Sequence, residues 1–336
     1  MKYIESTRRW LSDTARHRRG VRIVQIAVAF LILFRVFTES PFARYLWGPS
    51  GIAQGSSRYV FGATVGGWLD QLFATEMGVF AVLASMTIGA VLLIAGRLTR
   101  VATLVSLIAF WALEMRFPEL ADGGDNVTRL VLFFLLFTMP ARREARAGSL
   151  EVWLHNVGVL AIGAQVITIY LTSGFLKAYG DAWHNGTALY LVSQVEWFSL
   201  PSTRGLLSIP IVTAAASYAT VAFQVWFPIA VFTRFRLIWL AAGISLHLGI
   251  AVVMGLITFS TVMCSLELFL VTDDEWSRLA ARVRAFGDRL AAHPRLGAGR
   301  TGQLVRWLLP QSETQGGVAD ALDAETHGAV PAAIQE

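Results

Sequence analysis

Residues 170–201 read YLTSGFLKAYGDAWHNGTALYLVSQVEWFSLP. An apolar run long enough to cross a bilayer precedes this stretch and another follows it. Between them stand Lys177, Asp181, Trp183, His184 and several glycines, none of which a plain connecting loop requires. If the flanking runs are membrane spans, the stretch is a polar insertion on one side of a bilayer, and the fold is set by how the other runs surround it.

Composition supports the membrane reading. The 336 residues are 55% hydrophobic and only 15% charged, against about 25% charged in soluble domains, and mean hydropathy is +0.55. A net charge of +5 and a pI near 9.7 would also fit nucleic acid. The basic residues, however, fall in short clusters between apolar runs, and no nucleic-acid-binding motif accompanies them, so nucleic acid is not an expected partner. Cys264 is the single cysteine. It excludes an internal disulfide and a dithiol redox mechanism, and reads as a small packed hydrophobe.

Eight runs approach the twenty or so apolar residues that a span needs: roughly 21–38, 78–96, 101–118, 127–140, 152–172, 209–232, 237–255 and 256–271. The fourth is short, and the last two are joined so closely that they also read as one broken hairpin. The first follows a basic start without a small-residue cleavage site, so it is expected to stay as a signal-anchor. No fixed-period repeat is visible. The expected fold is all-α: a polytopic membrane helical bundle of about eight transmembrane helices with interfacial amphipathic helices.

Of 28 Lys and Arg, 21 fall in segments 1–22, 97–100, 141–151, 233–236 and the tail from 272. The positive-inside rule then places both termini in the cytoplasm of a multi-pass cell-membrane protein. The outer segments become 39–77, 119–126 and 173–208, so the opening stretch is extracytoplasmic. Four parts follow: a basic cytoplasmic segment 1–20, the membrane domain 21–272, a basic amphipathic helix 273–310 suited to anionic lipid, and a disordered tail 311–336. Tyr3 to Arg19 reads as a second surface helix. In 56–75, Tyr59, Phe61, Val65, Trp68, Leu72 and Phe73 are spaced for either an interfacial helix or an ordinary outer loop.

A charge at the centre of a span costs about 2.5–3.5 kcal/mol on insertion scales. Arg35, Glu114, Arg116, Asp125, Arg129 and His247 all fall in the outer halves of their runs, which points to a water-accessible cleft opening outward and to substrate-binding roles. Each one alone is equally explained by snorkelling or a structural ion pair. Glu267 falls toward the inner end of its run and reads as structural. Asp125 or Asn126 is expected to cap the helix after Gly123-Gly124, with Asp125 pairing to Arg129 four residues on.

Lys177 is the most reactive candidate in the opening stretch. A lysine withdrawn from water gives up its proton more readily and can serve as base or nucleophile. Asp181, four residues along, is a candidate ion-pair partner. Trp183 reads as an interfacial ring or a substrate contact. His184 has no second ligand at metal-site spacing, so no metal is expected.

Three passages carry a resemblance: GGDNVTRLVLFFLLF at 123–137, YLTSGFLKAYGDAWHNGTALY at 170–190 and SLHLGIAVVMGLITFSTVMCSLELFL at 245–270. Together with the span pattern they make residues 21–272 similar to the HTTM-domain family, which includes vitamin K-dependent γ-glutamyl carboxylases. The bacterial branch it most resembles is SdpB-like, the B proteins of sporulation-delaying systems that help mature a secreted peptide toxin. The resemblance implies Lys177 as the base that deprotonates a reduced quinone such as vitamin K hydroquinone, with His247 facing the same cavity. It also implies an exported peptide precursor and a small SdpA-type protein as partners, besides membrane lipids. The spacing from Lys177 to Trp183 is one residue longer than in the carboxylases, which continue into a large soluble domain. Three functions follow as expectations: a peptide-toxin maturation factor, a quinol-dependent carboxylase-like enzyme, or a membrane scaffold or transporter whose cavity binds lipid.

Overall fold

The structure is a computed structural model and describes residues 2–53, 55–140, 143–196 and 199–292. The described residues are helical, with no strand among them. Fifteen α-helices follow in order: α1 (Lys2–Ser12), α2 (Arg18–Glu39), α3 (Ala43–Trp47), α4 (Arg58–Phe73), α5 (Glu76–Ala95), α6 (Thr99–Arg116), α7 (Gly123–Leu135) and α8 (Leu150–Tyr179), then α9 (Asp181–His184), α10 (Ala188–Ser193), α11 (Pro201–Leu207), α12 (Pro210–Ala230), α13 (Arg236–Met254), α14 (Ile257–Leu270) and α15 (Asp273–Ala292). Residues 1–273 form one compact unit. From Asp274 the chain belongs to a second, in which α15 is a helix of its own. Of the tail expected at 273–310 and 311–336, everything beyond 292 lies outside the described residues.

Among the described residues, five helical segments are long and apolar enough to cross a membrane: Arg18–Trp47, Glu76–Ala95, Leu150–Tyr179, Pro210–Ala230 and Arg236–Met254. Their outward faces are apolar, as lipid-facing surfaces must be; α13, for example, turns Ile238, Leu248 and Val252 outward. The other three expected spans are less complete. α6 has the length but carries Arg100, Glu114 and Arg116. α7 has 13 residues and α14 has 14, so each rises only about 20 Å at 1.5 Å per residue. The last two runs are separate helices, turning at Gly255, whose φ of +71° suits a residue without Cβ.

Packing runs around the bundle from α6 to α5, α2, α14, α13, α12 and α8, and α7 closes it against α8 and α6 while also packing on α14. Small residues set the close approaches. A Cβ on Gly20 of α2 would lie 2.7 Å from the Phe269 carbonyl oxygen of α14, and one on Gly174 of α8 would lie 2.9 Å from the Val225 nitrogen of α12. Cap chemistry fixes the ends. Thr75 accepts from the Gly78 amide at 3.0 Å to open α5, Ser149 accepts from Val152 to open α8, and Arg22 donates to the last carbonyls of α5, Leu93 and Ile94.

These contacts also give direction. His155 and Asn156, in the first turns of α8, grip the segment before α2. Asn156 Nδ2 donates to the carbonyls of Leu11 (2.9 Å) and Thr14 (2.8 Å), its Oδ1 accepts from the Arg16 amide (3.0 Å), and His155 Nε2 lies 2.7 Å from the Arg16 carbonyl. His17 meets the Phe269 carbonyl at the far end of α14, and the Asp273 carboxylate accepts the amides of Arg18 and Arg19, both at 3.0 Å. The starts of α2 and α8 and the end of α14 therefore share one end of the bundle, the arm end. The expected surface helix at Tyr3–Arg19 is in fact the α1 arm, tied to α8. Arg35 and Lys177, near the C-termini of α2 and α8, lie toward the opposite end.

Within 56–75, Arg58–Phe73 form the helix α4, kinked at Gly62 (φ +73°). Asp70 folds the two parts together, accepting from the Ser57 amide (2.7 Å) and the Ser56 hydroxyl (2.6 Å).

Candidate functional site

A polar cluster and an isolated lysine lie toward the end of the bundle opposite the arm, and a second cluster lies deeper, its Glu267 two residues before the Phe269 whose carbonyl meets His17. The first cluster joins α2, α6 and α7. Arg35 reaches Asp125 Oδ1 at 2.9 Å and Glu39 Oε2 at 3.0 Å. Arg129 reaches Glu114 Oε2 at 3.0 Å and Asn126 Oδ1 at 2.7 Å. The guanidinium of Arg35 lies over Phe110 and that of Arg129 over Trp111, both 5.2 Å from the ring centre, so each cation has an aromatic face as well as carboxylates. Arg35 is 6% exposed and Glu114 1%. A cavity of about 110 Å³ beside them is lined by Arg35, Glu39, Asp122, Asp125 and Thr258, among others.

Of the six residues expected at one outward cleft, the structure brings Arg35, Glu114, Asp125 and Arg129 together, without the expected pair. Asp125 does not pair with Arg129. It is held at the third position of α7 by a reciprocal capping box, in which Asp122 accepts from the Asp125 amide at 2.9 Å and Asp125 accepts from the Asp122 amide at 3.0 Å. Asp122, rather than Asp125 or Asn126, is thus the cap, and Thr258 of α14 donates to its second oxygen at 2.8 Å. With the Asp125 carboxylate fixed at the helix start, Arg35 from the next helix is its cation. Arg116 is absent from the cluster. It donates to the Gly55 carbonyl at 3.1 Å and lies over Phe73, pinning the loop before α4.

His247 also leaves the expected cleft. Phe259 separates it from the first cluster: its ring meets His247 edge-on, 5.5 Å between centres, and its backbone abuts Gly124. His247 instead belongs to a second cluster with two residues the sequence did not single out as functional, Tyr170 of α8 and Glu267 of α14. The Tyr170 hydroxyl donates to Glu267 Oε1 and sits 2.9 Å from His247 Nε2. His247 Nε2 lies 3.7 Å from the same carboxylate oxygen. Tyr170 stacks on Phe227, 3.8 Å between ring centres, and Phe223 meets it edge-on. Tyr170, His247 and Glu267 are 1%, 2% and 0% exposed. Gly243 leaves the space that the Glu267 carboxylate fills. The available signal for Glu267 was its charge inside an apolar run. Depth along one helix assigned it to structure, whereas the tilt and reach of Tyr170 across the bundle bring it to His247.

Lys177 stands two turns beyond Tyr170 on the same face of α8. Its Nζ donates to Ser173 Oγ at 2.7 Å and lies 5.3 Å from the centre of the Trp183 ring. No carboxylate among the described residues pairs with it. Asp181 was the expected partner, but α8 ends at Gly180 and Asp181 opens the separate helix α9, so the four-residue spacing no longer defines one face. Trp183 does come to Lys177. It also walls a groove of about 340 Å³, whose other sides are Tyr218, Val221, Val225 and Trp226 of α12 with Ala178 and His184. The Tyr218 hydroxyl donates to the His184 carbonyl at 2.9 Å and fixes α9 against α12. A larger groove of about 410 Å³ lies on the α1 arm, lined by Glu5, Arg9, Trp10, Asp13 and Arg16. It is at the arm end, about 30 Å from Lys177 by the rise of α8. Among the described residues no three His, Cys, Asp or Glu side chains are grouped to hold a metal ion.

No protein-family model and no solved structure matches the chain. A relative from Bacillus subtilis (strain 168), the uncharacterized protein YitO, is 26% identical over 170 residues, covering 45% of this chain and 54% of the relative. The chain thus spans about half the length of the curated relative it matches.

Proposed function

We propose that this chain is a polytopic membrane protein of the HTTM type, of the SdpB-like branch, that matures or modifies an exported peptide, such as a toxin precursor, at an extracytoplasmic face. In this reading α2, α5, α6, α7, α8, α12, α13 and α14 make eight crossings. They run alternately between the two ends, the three weaker ones shielded by their neighbours. The charge distribution puts the arm end in the cytoplasm, together with both termini, and so puts Lys177 outside. The observation that carries the proposal is Lys177 itself. It is a half-buried cation held by one neutral hydroxyl and one aromatic face, which is the setting of a reactive amine rather than of a structural ion pair. A small SdpA-type protein is the expected partner for presenting the peptide. Co-expressing an exported precursor with and without this protein and weighing the secreted product tests the proposal. A mass or cleavage difference supports it, and identical products reject it in favour of a lipid-binding scaffold.

A second reading, a carboxylase-like enzyme dependent on a reduced quinone such as vitamin K hydroquinone, is favoured by the groove beside Lys177. Trp183, Tyr218 and Trp226 offer flat apolar walls to a ring and its isoprenoid chain, next to an amine that can take a hydroxyl proton. When bound, the quinol would supply the reducing equivalents for oxygen-dependent proton abstraction from glutamate. Lys177 would act as base, Trp183 would orient the ring and Ser173 would hold the amine in place. Quinol oxidation by the purified protein, lost in Lys177→Ala, is the expected result; turnover retained in that variant removes this reading.

A further inference from the structure

We propose that Tyr170, His247 and Glu267 form a proton wire, open at both ends, that carries a proton collected by Lys177 onto a carboxylate buried inside the bundle. The proposal rests on the reading of Lys177 as a base, and goes beyond it by saying where the proton goes next.

The hydrogen bonds set the direction. A tyrosine hydroxyl has one proton, and here it is given to Glu267 Oε1. Only lone pairs remain on the oxygen for His247, so Nε2 must be the donor across the 2.9 Å contact. A neutral imidazole with its proton on Nε2 has a bare acceptor at Nδ1. That atom is buried and finds no hydrogen-bond partner among the described residues, and the same is true of Glu267 Oε2 at the other end. Buried polar atoms without partners are uncommon and costly. Glu114 Oε1 of the first cluster is another such atom; what sets Nδ1 and Oε2 apart is that they terminate one continuous hydrogen-bonded chain, as a proton pathway does.

The surroundings leave the chain few alternatives. Phe223, Phe227 and Phe259 pack against Tyr170 and His247. Cys264 of α14 is the other ionisable group close by, and its sulfur faces the Ile244 carbonyl at 3.9 Å. Lys177 lies seven residues beyond Tyr170 on the same face of α8, about 10 Å along the helix axis. In the step proposed, a proton released by Lys177 binds Nδ1, the Nε2 proton passes to the Tyr170 oxygen, and the tyrosine proton passes to Glu267. Lys177 is left neutral and Glu267 becomes a neutral acid, with no electron transferred.

The test uses the full chain in nanodiscs without substrate. Nitrogen NMR of ¹⁵N-histidine-labelled protein, with His247 assigned by its loss in His247→Gln, should show the Nε2–H tautomer with a bare Nδ1. The infrared carboxylate stretch assigned to Glu267 by Glu267→Gln should move in Tyr170→Phe, and the His247 resonances should move in Lys177→Met. The opposite tautomer, or a Glu267 band unmoved in Tyr170→Phe, overturns the wire. His247 resonances unmoved in Lys177→Met overturn its link to the lysine. Because these spectra need no turnover, they fail independently of the product-mass test of Lys177. Glu267→Gln keeps an oxygen for the Tyr170 hydroxyl to bond, so it separates loss of the proton acceptor from loss of the fold. A steady-state product yield about 10²-fold lower, with the thermal melt unchanged, is expected; an unchanged yield counts against the wire.

Discussion

The two polar clusters each bury a glutamate and surround it differently. Around Arg35 and Arg129, carboxylates meet guanidinium forks, each cation has an aromatic face, and the capping box of α7 absorbs what remains of Asp122 and Asp125. Around Tyr170 there is one hydrogen-bonded line, one proton donor at each step, and an unsatisfied atom at each end. The first arrangement resists change because removing any member strands a charge. The second tolerates a moving proton because its charge has no fixed counter-ion. Buried charge in a membrane helix is therefore not one signal but two, and a guanidinium beside the carboxylate distinguishes them.

The largest effect should come from breaking the closed cluster. Arg35→Ala strands Asp125 and Glu39 beside a buried cavity and should lower stability by about 3–5 kcal/mol, read as a fall in the thermal unfolding midpoint in detergent. Next is the space that admits Glu267. Gly243→Ala overpacks it and should cost about 1–3 kcal/mol while displacing the carboxylate, visible as a shift of the Glu267 carboxylate stretch. Tyr170→Phe keeps the stacking on Phe227 and removes one hydroxyl, for about 1 kcal/mol or slightly more; its effect should appear mainly in product yield. Lys177→Met should change stability least, by under about 1 kcal/mol, and activity most. If Arg35→Ala and Lys177→Met proved equal in both measurements, the division between a structural and a working cluster would fail.

The helical character of the apolar runs was legible in the sequence, because apolar run length is a local property. The meeting of Arg35, Glu114, Asp125 and Arg129 was legible for the same reason, since all four lie near the same ends of their runs. Their pairing was not: a four-residue spacing favours Asp125 with Arg129, and the capping box that turns Asp125 toward α2 depends on Asp122, read only as part of a turn. The Lys177–Asp181 spacing failed similarly, because the helix breaks at Gly180. Tyr170 and Glu267 were illegible as a pair because their contact crosses helices 97 residues apart in sequence, and depth along a single helix says nothing about tilt. The grip of His155 and Asn156 on the arm was illegible because those contacts join residues 139 and 140 apart in sequence.

The most direct measurement is the mass of an exported precursor secreted from cells carrying the wild-type chain or Lys177→Met, with equal amounts of folded protein confirmed in the membrane. Processing or modification present with the wild type and absent with Lys177→Met is the predicted result. Identical processing with both would contradict the assignment of Lys177 as the working group.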